Sequence, residues 1–146
     1  SRTPAELIFD QGLGDIFSIR IAGNIINDDI LGSMEFACQI AGSKLIVVLG
    51  HTNCGAIKGA CDNVEWEHLS GLLRKVKPAI ENETTINGQR NGSNPDFVNA
   101  VAKLNVIHSI NTVLNESHTI KKLVTDAKIK IIGGLYDISS GEVTFF

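Results

Sequence analysis

The sequence predicts an α/β fold built on a mainly parallel central sheet flanked by helices, and three observations carry that prediction. Strand-like apolar segments alternate with segments of helical periodicity, the β–α–β–α–β order of strands joined by crossover helices. One run, Leu45-Ile46-Val47-Val48-Leu49, is apolar on both faces and rich in β-branched residues, as a strand covered on both sides must be. It leads at once into a turn bracketed by Gly50 and Gly55 and then a helix start, which makes a βα unit. With 146 residues the chain is expected to form one domain, 1–146.

Each element has its own local reason. Residues 15–21 alternate apolar and polar after the turn-prone Gly12-Leu13-Gly14, which predicts a strand with one buried face. From Ile30 to Ala41 the apolar positions Ile30, Met34, Ala37, Cys38 and Ala41 share one helical face, and Gly42 is placed to stop that helix. After the strand at 45–49 and its turn, Ala56 to Ala60 begins a helix, and Glu65 to Ile80 reads as another. Residues 82–94, rich in Asn, Thr and Gly without apolar rhythm, read as a surface loop. Pro95 suits a first helical turn, and Phe97, Val101, Leu104, Ile107 or His108, and Leu114 mark the buried stripe of a long helix. A short helix over 119–126, a strand over 128–132 and a C-terminal antiparallel hairpin through Tyr136-Asp137-Ile138, Ser139-Ser140-Gly141 and Val143-Thr144-Phe145 complete the chain.

Composition excludes several classes of function. Hydrophobic residues make up 43% and charged residues 20%, a core-forming balance rather than a disordered one. The net charge of −3 and the scatter of the basic residues leave no phosphate-neutralising stripe, so nucleic acid is not an expected partner. The longest nearly uninterrupted apolar run is far shorter than the roughly 20 residues of a membrane-spanning helix. Three cysteines, an odd number in a chain able to bury its own core, point away from a disulfide scaffold and toward a reducing, cytoplasmic compartment.

Chemistry concentrates in the turn after the apolar strand. His51-x-x-Cys54 offers an imidazole and a thiol from one turn, both suited to tetrahedral Zn²⁺, and Gly50 and Gly55 give that turn freedom to aim them at one point. A catalytic zinc site usually takes three protein ligands, so a further ligand must come from elsewhere. Cys38 sits on an apolar helix stripe and reads as a small buried hydrophobe, Cys61 points away from the turn mouth, His108 reads as a packing residue, and His68 and His118 lie in polar surroundings. Gly12-Leu13-Gly14 lacks the flanking strand and third glycine of a dinucleotide fingerprint, and no Cys-x-x-Cys supports thiol redox chemistry.

Taken together, Ser1-Arg2-Thr3-Pro4-Ala5-Glu6, Gly12 to Phe17, Arg20 to Asn24, Glu35-Phe36-Ala37, Val47 to Ala56, and Gly134-Leu135-Tyr136-Asp137 with Gly141 resemble the β-class carbonic anhydrases along essentially the whole chain. That resemblance implies an α/β fold of about four parallel strands, a homodimer or higher homo-oligomer, and a zinc lyase interconverting carbon dioxide and bicarbonate through attack by zinc-bound hydroxide. It makes His51 and Cys54 zinc ligands, Arg2 the basic half of an Asp-Arg dyad that frees the metal for water, and Gly55 part of the substrate site. Arg20 and Tyr136 resemble residues lining a noncatalytic bicarbonate pocket in one subgroup, although the partner Trp of that pocket would lie upstream and Trp66 stands elsewhere.

The family pattern is Cys-x-Asp-Ser-Arg, and this sequence begins at its Ser. The remaining ligand Cys and the dyad Asp are therefore expected upstream of Ser1, with zinc binding and activity impaired in the chain without them, and with apolar surface exposed where N-terminal helices would wrap a partner. Ile21 stands where the family usually has Asn. Two other readings share these residues: hydrolysis of carbon disulfide or a related linear substrate at the same zinc site, and a noncatalytic bicarbonate-binding or regulatory domain fused to a membrane anion transporter upstream.

Overall fold

The structure is a computed structural model and describes residues 4–146. Its centre is a three-stranded sheet of order β1-β2-β3, formed by β1 (Leu45–His51), β2 (Lys130–Tyr136) and β3 (Val143–Phe145). β1 and β2 are parallel, in register from Leu45 opposite Lys130 to His51 opposite Tyr136, and β3 returns antiparallel with Tyr136 opposite Val143. The α/β class and the C-terminal hairpin are as the sequence predicts, whereas the sheet has three strands among the described residues rather than about four. The difference is the segment 15–21, which runs on into an extended Ile21 (φ −142°, ψ 151°) without entering the sheet. A ladder requires a neighbour about 4.8 Å away, and a groove separates this segment from β1.

Seven α-helices surround the sheet among the described residues: α1 (Ala5–Ile8), α2 (Asp28–Glu35), α3 (Gly55–Cys61), α4 (Glu67–Arg74), α5 (Lys77–Asn82), α6 (Pro95–Glu116) and α7 (His118–Thr125). Asn27 caps α2 by accepting the Ile30 N–H at 2.9 Å, and α2 continues as one wide π turn, Phe36–Ile40, before Gly42 (φ 85°) ends it as expected. The predicted helix over 65–80 is two helices. Pro78 lies in the first turn of α5, where its ring and missing N–H are tolerated, but an unbroken helix would drive that ring into the carbonyl one turn back.

α6 is the spine of the core. Asn94 caps it through the N–H groups of Asp96 and Phe97, and it buries Phe97, Val98, Val101, Ala102, Asn105, Val106, Ser109 and Val113. Phe97 and Val101 belong to the buried stripe as predicted, but Ile107 is 38% exposed, because the helix lies between the sheet and residues 22–26 and buries two faces. Its contact with the sheet depends on glycine: a Cβ on Gly50 or Gly133 would stand 2.8 or 2.9 Å from a methyl of Val106. One core cluster joins α3, α4, α5 and the first half of α6, and a second joins α2, α7, β1 and the second half of α6. Ile46 and Val48 of β1 pack in the second cluster, and Cys54, just past the end of the strand, packs in the first.

Candidate active site at the carboxyl end of β1

β1 ends at His51, and the chain turns through Thr52 and Asn53 to reach Cys54, the N-cap residue immediately before α3. Asn53 adopts φ 55°, a left-handed conformation that Asn tolerates better than most side chains. Three hydrogen bonds hold this turn from outside. The Thr52 N–H donates to the Tyr136 carbonyl at 2.9 Å, the Ile138 N–H donates to Thr52 Oγ1 at 3.1 Å, and the Asn53 N–H donates to Oδ1 of Asn99 on α6 at 3.0 Å. β2 and α6 thus clamp the turn that the sequence singles out.

The turn brings His51 and Cys54 together as a hydrogen-bonded pair. The His51 Nδ1 lies 2.8 Å from the Thr52 carbonyl; a carbonyl only accepts, so Nδ1 carries the proton and Nε2 keeps its lone pair in the neutral ring. Burial works to raise the Cys54 thiol, but the His51 hydrogen bond, the N–H groups of Ile57 and Ala56 and the adjacent imidazole charge outweigh it and lower the pKa to about 7. The hydrogen bond to Cys54 raises His51 in turn, against burial and with help from the Thr52 carbonyl. The other two cysteines go the opposite way: burial raises Cys38 against the charge of Lys44, and burial with Asp62 beside it pushes Cys61 up to about 11. Cys54 is thereby distinguished as the cysteine with thiolate character near neutral pH.

Gly55 opens α3, and a Cβ there would meet open space, so the mouth of the turn beside Cys54 is unobstructed. Arg20, Tyr136 and His51 line one groove, and Tyr136 stands beside His51 in the β1–β2 register. Arg2 lies outside the described residues. No group of three His, Cys, Asp or Glu side chains able to hold a metal ion occurs among the described residues. Sequence reasoning missed Asn99, Thr52 and the Asp137 carboxylate, which accepts from the N–H and hydroxyl of Ser139 at 2.8 and 2.6 Å and shapes the loop touching Thr52. Asn99 could not have been found locally, since it lies 46 positions from the residue it holds.

An activated cysteine and an imidazole stand together at the carboxyl end of a parallel strand, the usual ligand position of α/β sheets, and both are side-chain types able to donate to a metal. The carbonic anhydrase family model matches residues 1–143. Carbonic anhydrase 2 of Mycobacterium tuberculosis is 33% identical over 146 residues, covering 97% of this chain and 67% of its own length. A carbonic anhydrase of Mycolicibacterium smegmatis is 47% identical over 85 residues, covering 55% of this chain and 41% of the relative. One of two tetrameric β-carbonic anhydrases of the ascomycete Sordaria macrospora superimposes with a TM-score of 0.85 at 25% identity, over 98% of this chain and 74% of that one. The chain belongs to the β-class carbonic anhydrase family, and it spans about two thirds or less of the two bacterial relatives named.

Proposed function

We propose that this chain carries part of the active site of a zinc-dependent carbonic anhydrase interconverting carbon dioxide and bicarbonate, with His51 and Cys54 as two of the zinc ligands. The observation that carries the reading is the His51–Cys54 pair, clamped at the end of β1 with the thiol lowered to about 7. Imidazole nitrogen and thiolate sulphur are the donor types zinc favours. Their number is short by at least one for a catalytic site, so the remaining donor belongs outside the described residues. Zinc bound there supplies the Lewis acidity that makes a nucleophile of water near neutral pH.

The chain's own residues have separable tasks in this scheme. Thr52 holds His51 through its carbonyl, which leaves the Nε2 lone pair to donate and would fix the imidazole as a zinc ligand. The Ile57 and Ala56 N–H groups stabilise Cys54 as thiolate. Gly55 leaves room for a linear substrate at the turn mouth. The family resemblance gives Arg2 the part of a dyad cation that would keep a carboxylate from competing for the metal, and Arg20 and Tyr136 offer a cation and a phenol to bicarbonate in the groove. The family likeness to tetrameric enzymes supports a homo-oligomer.

Zinc content and stopped-flow carbon dioxide hydration test the reading, on this chain and on one extended upstream to include a Cys-x-Asp. Metal and activity gained by the extension and lost again with Cys54→Ala or His51→Ala support it. An active, fully metallated Cys54→Ala protein overturns the ligand assignment. The two-donor site also favours a second reading, a bicarbonate-binding domain without catalysis. It predicts bicarbonate-dependent shifts at Arg20 and Tyr136 in a protein that never gains zinc.

A further inference from the structure

α6 carries polar side chains where its spacing calls for apolar ones. Asn105, Ser109, Thr112 and Glu116 recur at i, i+4, i+7 and i+11, one stripe of a helix. Asn105 and Ser109 are buried, at 0% and 2% exposure. The stripe lines a cavity of about 180 Å³, in which Ile25 and Ile26 supply the apolar surface and His108 a ring nitrogen. Lys75 and Glu116, both exposed, stand at its mouth. Only the two isoleucines also line the groove that bears His51, so this is a separate cavity.

The surrounding hydrogen bonds decide which atoms the cavity can offer. Asn105 Nδ2 donates to the Gly23 carbonyl at 2.7 Å, which fixes the orientation of the amide. Its Oδ1 is then a buried acceptor with no partner among the described residues. The Ser109 hydroxyl donates to the Asn24 carbonyl at 2.8 Å and accepts from Asn24 Nδ2 at 3.5 Å. The Thr112 hydroxyl donates to the His108 carbonyl at 3.0 Å, so its hydrogen is committed and its lone pairs remain. The open polar atoms on the stripe inside the cavity are therefore acceptors, Asn105 Oδ1 and Thr112 Oγ1. A buried acceptor left unpaired is costly, so a complementary ligand brings N–H donors inward. One water needs only about 10–15 Å³, which leaves room for a ligand of several heavy atoms.

We propose that this cavity is a binding site for a small neutral amide, a carboxamide or urea, that donates N–H groups to Asn105 Oδ1 and Thr112 Oγ1 and turns its carbonyl oxygen toward Lys75. Charge selects neutrality. A cation would meet Lys75 at the mouth, and an anion would meet Glu116 and a floor of acceptors. With one charge of each sign at the mouth, neither ion is compensated for its loss of water, whereas a dipole is served at both ends.

Three probes of nearly one shape test this: acetamide, the acetamidinium cation and the acetate anion, each titrated into the chain at constant ionic strength and followed by NMR. Neither zinc nor turnover enters the readout, so the result is independent of the carbonic anhydrase reading. Acetamide should shift the Asn105 side-chain amide and the backbone amides of Ser109 and Thr112 saturably, in the millimolar range expected of so small a ligand. Acetate should shift none of them, and acetamidinium should bind at least about tenfold more weakly. Thr112→Val, which exchanges one acceptor for a methyl group, and Lys75→Met should each weaken acetamide by about five- to tenfold. Acetamidinium binding as tightly as acetamide makes this a cation site and overturns the proposal, and saturable acetate binding makes it an anion site with the same result. No saturable shift with any probe leaves water or the Lys75 ammonium itself as the occupant, which also overturns it. So does acetamide affinity undiminished in both variants.

Discussion

The three cysteines of this chain show how neighbours, rather than residue type, set reactivity. Cys54 ionises near 7 because His51 and two backbone N–H groups outweigh its burial, whereas nothing comparable offsets burial at Cys61. In the metal-free chain, alkylation of Cys54 by iodoacetamide should therefore rise through a midpoint near pH 7, slow below it as thiol and fast above it as thiolate, while Cys61 stays inert across the neutral range. Site-resolved mass spectrometry reads both; equal rates at the two cysteines would contradict the assigned environments. Asn99 acts one layer further out. Asn99→Ala removes the acceptor that holds the Asn53 N–H in its left-handed turn, and on the zinc reading proposed above the upstream-extended chain should lose zinc affinity by roughly tenfold or more with its fold retained. A metal titration alongside a circular dichroism melt separates that loss from unfolding.

Among elements, the contact of α6 with the sheet is set by two hydrogen atoms. A methyl group at Gly133 would meet Phe146 at 2.8 Å and Val106 at 2.9 Å, so Gly133→Ala should cost about 1–3 kcal/mol in urea unfolding. Gly32 lies inside α2 with nothing within 4 Å of a would-be Cβ, and Gly32→Ala should instead stabilise by about 0.5–1 kcal/mol. Opposite signs from one chemical change would establish that space, not glycine content, is the variable. Such crowding is invisible in the sequence, where both glycines read alike. What was legible was local: the apolar run of β1, the stop at Gly42, Pro95 at the start of α6, and the βα turn bearing His51 and Cys54. The segment 15–21 has a strand's pattern and no partner, since a strand's pattern reports which face is apolar and only the rest of the fold decides what lies beside it. The split at Pro78 is legible in the sequence from proline alone, whereas the two-faced burial of α6 depends on residues 22–26 reaching it from far along the chain.

At the scale of the molecule, the loop between α5 and α6 is closed by one buried carboxylate. Glu83 accepts from the Thr85 hydroxyl at 2.6 Å, the Thr85 and Ile86 N–H groups, and Arg90 at 2.8 Å, while the Arg90 guanidinium also covers Phe97 of the core at 4.7 Å. The Thr85 hydroxyl, with those N–H groups and Arg90, holds Glu83 below the usual carboxylate range against its burial. A depressed carboxylate contributes stability above its unfolded pKa and loses it as pH falls through the lower folded value. Urea midpoints should thus decline on acidification below about 4.3, the ordinary glutamate value, and Glu83→Gln should flatten that decline. An identical acid slope in the variant would remove Glu83 from the account. Synthesis from the N-terminus adds a temporal meaning to the β1–β2 register. Leu45 must wait for Lys130 and His51 for Tyr136, so β1 cannot pair with β2 until all the helices between them have been translated. Throughout that interval the edge of the nascent β1 that will meet β2 stays open, an apolar strand edge of the kind that chaperones cover.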